Sequence, residues 1–190
     1  MSARDGLSRE ELTAAGDFIL SGRRESGGGR SGSLATLEQL RAATSRHRAG
    51  RGARALRWAL ERVRDGVDSP KETRLRLTLV AHGFPEPVIG LPVLVDRGTL
   101  LLHPDLAWPN LRLVLEYEGV MRSITKGGSP KRGSLRGQNR QATDGARREK
   151  FEAAGWRVIR VTADDLGEEL DAFIERVRTI VAARRAELAR

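Results

Sequence analysis

The spacing of apolar residues and the helix-ending residues along the chain predict six helices, separated by extended or polar stretches. The predicted helices cover about Leu7–Leu20, Leu34–Ser45, Ala53–Val63, Asp68–Gly83, Gln138–Ala154 and Asp164–Ala186. The fourth has the clearest boundaries, because Ser69 can cap its start, Pro70 suits the first helical position and Gly83 can end it. The last is expected to carry Asp164 and Asp165 in its first turn.

Four extended segments lie among these helices, at Leu91–Asp96, Thr99–Trp108, Leu111–Glu118 and Trp156–Val161. Turns at Arg97-Gly98 and Pro109-Asn110 separate the first three segments, which predicts an antiparallel meander. The elements then follow one another as helix, three strands, helix, strand and helix (αβββαβα). This order predicts an α/β (α+β) fold in which a mixed sheet carries helices on both faces.

The first third of the chain predicts a helical N-terminal extension over residues 1–66. Residues 21–33 within it are rich in glycine, serine and arginine, a composition typical of a flexible linker. A second domain is predicted over 67–190, with a long, basic, glycine-rich loop at 119–137. The N-terminal helices either dock on this domain or bind a protein partner, and the sequence leaves both open.

Several protein classes are excluded by what the chain lacks. It contains no cysteine, so disulfides, thiolate nucleophiles and cysteine-ligated zinc are impossible. No apolar run approaches the roughly 20 residues needed to cross a bilayer, and the first residues show no apolar signal core. We therefore expect a cytoplasmic protein without a membrane partner.

Positive charge is concentrated in two parts of the chain. The 34 Lys and Arg residues exceed the 25 Asp and Glu residues, for a net charge of +9. Residues 1–66 hold 13 basic and 8 acidic groups, and residues 122–150 hold 9 and 2. Such an excess is typical of a protein that binds a polyanion such as DNA.

The cations of the second basic part are candidate nucleic-acid contacts. Four of them lie in the predicted loop: Lys126, Lys131, Arg132 and Arg136. These side chains would contact phosphate without reading sequence. Arg140, Asp144 and Arg147 recur at helical spacing and share one helix face. That face is either a phosphate contact or a solvated, salt-bridged surface.

Two acidic residues are predicted to approach each other on the strands around Pro109-Asn110. A two-residue turn there would pair Trp108 with Leu111, which places His103 opposite Glu116 and Asp105 diagonal to Glu116 on the same face. Diagonal positions lie roughly 7–8 Å apart, so the two carboxylates can share one divalent cation. The alternative is that Asp105 and Glu116 form ion pairs with arginines, and the pattern leaves the two interpretations balanced.

Three stretches carry a resemblance to a known bacterial family: SPKETRLRLTLVAHGFPEP, HPDLAWPNLRLVLEYEG and EAAGWRVIRVTADDL. Together they resemble the domain-of-unknown-function 559 family, which is related to the very-short-patch repair endonucleases of the PD-(D/E)XK nuclease superfamily. The resemblance covers about residues 67–185. Residues 5–66 resemble the helical region that precedes this domain in longer members.

The resemblance implies a restriction-endonuclease-like three-layer core and a DNA endonuclease that depends on Mg²⁺, or on Mn²⁺, to hydrolyse phosphodiester bonds in DNA repair or defence. Asp105 and Glu116 match the metal-binding acids, and Glu118 matches the third motif position. Glu72 matches a helix glutamate that completes the acidic cluster. Glu72 also fits a capping box with Ser69, so both roles stay open for it.

One position departs from the family pattern. The family usually places a histidine where this chain has Arg122, and arginine stays protonated and cannot take a proton from water. Arg122 could only clamp phosphate or stabilise a leaving group. The departure favours an alternative in which a catalytically weak or inactive nuclease fold binds nucleic acid, in a defence or toxin–antitoxin setting. A third possibility is a structural protein whose acidic pair only forms ion pairs.

Overall fold

The computed structural model describes residues 6–22, 32–46, 50–118 and 145–189 of a mixed α/β chain. These residues form two compact units, of which the first ends at Gly90 and the second begins at Leu91. The sequence-based boundary between residues 66 and 67 stays a prediction. In the described part of the chain, no helix combines the length and apolarity needed to span a membrane.

Four helices and one short strand make up the first unit. They are α1 (Arg9–Ser21), α2 (Leu37–Ser45), α3 (Ala53–Arg62), α4 (Pro70–Ala81) and β1 (Val88–Ile89). All four helices lie close to their predicted positions. Reciprocal capping boxes start α1, through Ser8 and Glu11, and α2, through Thr36 and Gln39.

A buried ion pair joins α1 to α4 in this unit. The side chains of Asp17 and Arg76 are each only 1% exposed and approach within 3.4 Å. Asp17 also accepts hydrogen bonds from the Thr73 hydroxyl at 2.7 Å and from the Arg64 backbone N–H at 2.6 Å. Burial raises the pKa of Asp17, although these bonds and the Arg76 charge act in the opposite direction.

The second unit contains five strands and two helices. They are β2 (Val93–Val95), β3 (Leu100–Leu102), β4 (Leu106–Trp108), β5 (Leu113–Tyr117), α5 (145–153), β6 (Arg157–Val161) and α6 (Leu170–Leu188). Strand β5 pairs antiparallel with β4 and parallel with β6, so the predicted mixed sheet is confirmed. Strands β2 and β3 form a separate antiparallel hairpin.

The prediction of one continuous meander is therefore wrong. The expected strand Thr99–Trp108 is divided into β3 and β4, because residues 103–105 between them belong to neither strand. Pro104 lies in the middle of this break, and proline has no N–H to donate to a ladder. The hairpin β2–β3 is consequently a sheet of its own.

The two faces of the β4–β5 pair are buried. One face packs Ala107 and Val114 against Phe151 of α5. On the other, Leu113 and Leu115 are fully buried. Helix α6 buries Phe173, and its Arg184 donates to the backbone oxygens of the residues that precede β5 and β6, Leu111 at 3.1 Å and Gly155 at 3.2 Å.

Helix α6 begins at Leu170, so the prediction of a helix from Asp164 is wrong at this end. The carboxylate of Asp165 accepts from the Thr162 backbone N–H at 2.8 Å and pairs with Arg176 at 2.9 Å. These contacts stabilise a turn before the helix instead of a first helical turn.

Candidate active site

The register of β4 and β5 brings Asp105 and Glu116 to the same end of the sheet. Trp108 lies opposite Leu113, and counting outward along both segments puts Asp105 opposite Glu116. Asp105 itself comes one residue before β4. The two acids are thus direct rather than diagonal neighbours by register, a closer arrangement than the sequence predicted.

The predicted pairings of Trp108 with Leu111 and of His103 with Glu116 are wrong. Residues Pro109–Leu111 form a single 3-10 turn, and Arg112 then takes a left-handed backbone conformation with a φ of 46°. The connection therefore has four residues instead of two and shifts the register by two positions. Because side chains alternate along a strand, an even shift preserves the common face of the two acids.

Asp105 is held against the end of β5. Its side chain is half-buried, and its Oδ2 accepts a hydrogen bond of 2.7 Å from the backbone N–H of Tyr117. The contact orients Asp105 next to the strand that carries Glu116.

Glu116 forms an ion pair with Arg147 of α5. The guanidinium donates from Nε to Oε2 at 2.8 Å and from Nη2 to Oε1 at 3.2 Å, and it also donates to the backbone oxygen of His103. The ring of Phe151, one helical turn later, lies 5.4 Å from the guanidinium carbon. Arg147, the described member of the helix face predicted to contact phosphate, therefore pairs with Glu116, as in the ion-pair alternative that the sequence left open for this acid.

A cavity of about 340 Å³ opens beside Glu116, between β5, β6 and α5. Its acidic lining comes from both strand and helix: Glu116, Glu118, Glu149 and Glu152. Arg148 and Arg160 supply the positive charge, and Arg160 donates to the Glu118 carboxylate. The cavity thus offers both cation-binding oxygens and anion-binding guanidinium groups.

A larger open groove of about 930 Å³ runs along β6 and shares Glu118, Arg148 and Arg160 with this cavity. Five arginines line it: Arg148, Arg157, Arg160, Arg176 and Arg184. The sequence did not predict this groove, because its walls come from three elements far apart along the chain. The available signal was the presence of two arginines, Arg157 and Arg160, within the short apolar strand β6.

Glu72 lies in the first unit, at the start of α4. Its carboxylate accepts from the Asp68 backbone N–H at 2.9 Å and from the Ser69 hydroxyl at 2.9 Å. The Ser69 oxygen in turn accepts from the Glu72 N–H at 3.3 Å. Ser69 therefore caps α4, and Glu72 supports the cap through the Asp68 N–H and the Ser69 hydroxyl instead of completing a reciprocal capping box. The part of Glu72 in an acidic cluster stays a prediction.

Most of the predicted nucleic-acid contacts lie outside the described residues: Arg122, Lys126, Lys131, Arg132, Arg136 and Arg140. Arg147 is described, and its guanidinium contacts Glu116. The predicted loop at 119–137 also falls outside the described ranges.

Asp105 and Glu116 offer the oxygen donors that Mg²⁺ takes from proteins. Both oxygens of Glu116 are bound to Arg147, so this guanidinium occupies the positions that a cation would need on Glu116. Over the residues that the structure describes, no three histidine or acidic side chains form a ready-made metal cluster.

Comparison with known proteins gives distant relatives. The chain is 27% identical over 135 residues to two uncharacterized proteins of Mycobacterium tuberculosis, one from strain CDC 1551 and one from strain H37Rv. The match covers 71% of this chain and 45% of each relative, so the chain spans less than half the length of the curated proteins it matches. No protein-family profile matches the chain. No solved structure matches it either.

Proposed function

We propose that this protein is a divalent-metal-dependent DNA endonuclease with a restriction-endonuclease-like core. The proposal is supported by the order of elements, in which an antiparallel strand pair is followed by a helix and by a strand parallel to the second strand. The main observation behind the proposal is the β4–β5 register: one residue outward from the Leu106–Leu115 pair, Asp105 lies opposite Glu116. Two acids that face each other at one end of a strand pair can hold one Mg²⁺ beside a phosphate.

Asp105 and Glu116 would hold the ion, which when bound would polarise the scissile phosphate and lower the pKa of a water molecule. The Tyr117 N–H keeps Asp105 oriented without using a side chain. Arg147 would exchange Glu116 for a phosphate oxygen as DNA arrives, because guanidinium binds either anion in a bidentate way. Glu118 lines the same cavity and Glu72 is the fourth proposed acid.

Plasmid nicking tests this function. Supercoiled DNA is incubated with the protein and Mg²⁺ or Mn²⁺, alongside Asp105→Asn and Glu116→Gln, which keep the shape of each side chain. We expect nicking that EDTA abolishes and that each substitution reduces by at least a hundredfold. Glu175→Gln, at an exposed position on α6, is the matched control and should nick like the wild type. Equal nicking by all four proteins would contradict the proposal.

A second function is favoured by the Arg147 contact itself. Since Arg147 already neutralises Glu116, the fold can be stable as a nucleic-acid-binding module that does not cleave. Arg122 at the position of the family histidine points the same way. DNA binding that weakens with salt, combined with no nicking in either metal, would assign the protein to this function.

A further inference from the structure

A group of arginines lies around Gly155, at the end of the open groove where β6 begins. Arg157 and Arg184 line the groove beside this glycine. Arg112 reaches the same place from the turn before β5, because a Cβ atom added at Gly155 would lie only 3.2 Å from Nη1 of Arg112. The lack of a side chain at Gly155 lets this guanidinium lie against the backbone. We call Arg112, Arg157 and Arg184 the Gly155 cluster.

Two of the three guanidinium groups are not engaged by the described part of the chain. Arg112 and Arg157 are exposed, and neither side chain forms a hydrogen bond or an ion pair with another described residue. Arg184, in contrast, is held in place, because it pairs with Glu187 at 2.7 Å and donates to the backbone oxygen of Gly155 at 3.2 Å. The cluster therefore combines one fixed guanidinium with two that can bind a ligand.

The acids of the groove do not neutralise these two arginines. Three of the four acids in the lining already contact a different arginine: Glu152 contacts Arg148, Asp165 contacts Arg176 and Glu118 contacts Arg160. The fourth, Glu169, follows β6 in the chain, whereas Gly155 precedes that strand. Positive charge therefore remains uncompensated where β6 begins, and such a place favours an anion.

Protection of a sheet edge explains only one of the two arginines. Strand β6 is the last strand of its sheet in the described part of the chain, and a charged side chain such as Arg157 discourages such a strand from pairing with another molecule. Arg112 lies in the turn before β5, which is an inner strand between β4 and β6. Edge protection thus gives no reason for Arg112.

The position of the cluster relative to Glu116 suits a nucleic-acid strand. Arg112 precedes Glu116 by four residues, and Arg157 lies opposite Leu113, which precedes Glu116 by three. At about 3.3 Å per residue, the cluster is about 10–13 Å from Glu116 along the strand direction. One strand of DNA advances about 3.4 Å per nucleotide, so the spacing corresponds to roughly three or four nucleotides.

We propose that the Gly155 cluster binds a backbone phosphate of the same DNA strand that Asp105 and Glu116 engage. The inference rests on the proposed function in taking DNA as the ligand. Guanidinium groups match the planar, bidentate geometry of phosphate oxygens, and Arg112 and Arg157 are the two that can turn to them. The cluster contributes affinity without sequence preference, and it contributes nothing to bond cleavage.

The test measures binding of a fluorescein-labelled duplex by anisotropy, in EDTA, over a series of salt concentrations. Arg112→Gln/Arg157→Gln is compared with the wild type and with Arg97→Gln/Arg185→Gln, which removes equal charge from exposed positions of the second unit outside the groove. We expect the first variant to bind roughly tenfold more weakly at low salt and to lower the slope of log K against log salt by about 2. The control should match the wild type.

A lysine variant separates charge from structure. Arg112→Lys/Arg157→Lys keeps both positive charges but loses the planar fork, so we expect it to regain most of the affinity that the glutamine variant loses. A lysine variant that binds as weakly as the glutamine variant would overturn the inference, because phosphate attraction requires the charge.

Equal affinities for the wild type and the Arg112/Arg157 glutamine variant would also overturn it, and so would equal losses in that variant and in the control. Wild-type binding to polyglutamate but not to DNA would reject the inference as well and would assign the cluster to an acidic protein. The proposed nuclease fails separately: weaker binding by the Arg112/Arg157 glutamine variant, together with no nicking by the wild type, supports the phosphate site and rejects the enzyme.

Discussion

Arg147 binds both carboxylate oxygens of Glu116, so a cation that approaches this acid has to compete with a guanidinium. The two side chains are 30% and 22% exposed, so solvent screens their attraction. The pair is therefore a weak stabiliser but an effective competitor for any cation that approaches Glu116. At the residue scale, the choice between enzyme and binding module depends on whether Arg147 leaves Glu116 when DNA is present.

Replacing Arg147 with methionine separates these roles. We expect Arg147→Met to change the free energy of unfolding by no more than about 1 kcal/mol, because a partly exposed ion pair contributes little. We expect the same variant to nick DNA at least tenfold more slowly, since the proposed contact of Arg147 with phosphate is lost. Urea unfolding and plasmid nicking measure the two effects. A loss of several kcal/mol with unchanged nicking would show a purely structural residue.

Asp17 makes stability depend on pH. Burial raises its pKa in the folded protein, so the folded state binds this proton at a higher pH than the unfolded chain does. The contribution of Asp17 to stability is complete below the unfolded pKa of about 3.9 and is lost as the pH rises through the folded pKa. Comparison with Asp17→Asn isolates the effect, because asparagine does not titrate.

We expect the difference in unfolding free energy between wild type and Asp17→Asn to shift in favour of the wild type as the pH falls from about 7 to about 4. Urea denaturation of both proteins at matched pH values measures the difference. A difference that stays constant, or that moves in the opposite direction, would contradict the raised pKa.

At the scale of single elements, a local motif fixes the start of α4. Ser69 caps the helix and Glu72 accepts from the Asp68 N–H and the Ser69 hydroxyl. Boundaries of this kind are predictable from sequence, because caps and proline act locally.

The turn before β5 was not predictable, because the sequence shows no sign that Arg112 adopts a positive φ. The pairing of Arg147 with Glu116 was unpredictable for another reason: it depends on how α5 packs on the sheet.

Glu72 can be tested for capping and catalysis together. We expect Ser69→Ala to destabilise the protein by about 1 kcal/mol, the usual cost of losing a helix cap. Glu72→Gln keeps an oxygen acceptor, so we expect it to unfold close to the wild type while nicking at least tenfold more slowly. Thermal unfolding and plasmid nicking distinguish the effects. Wild-type nicking by Glu72→Gln would limit Glu72 to capping.

At the scale of the whole chain, the two units carry different sets of charged side chains. In the first unit, Arg41, Arg46, Arg51 and Arg54 are exposed and form no ion pair with another described residue. The second unit places acids and arginines around one cavity and its adjoining groove. The sequence predicted the mixed sheet from the local order of helices and strands. The net positive charge of the chain follows directly from its composition. It missed the cavity and the groove, since their linings assemble from β5, β6, α5 and α6 only in the fold.

The central claim is that Asp105 and Glu116 together hold one divalent cation. Titration with Mn²⁺, followed by the electron paramagnetic resonance signal of the free ion, tests it most directly in the presence of an uncleavable duplex. We predict one bound Mn²⁺ per wild-type chain, and binding at least tenfold weaker in Asp105→Asn and in Glu116→Gln. Binding of wild-type strength in either variant, or none in the wild type, would contradict the claim.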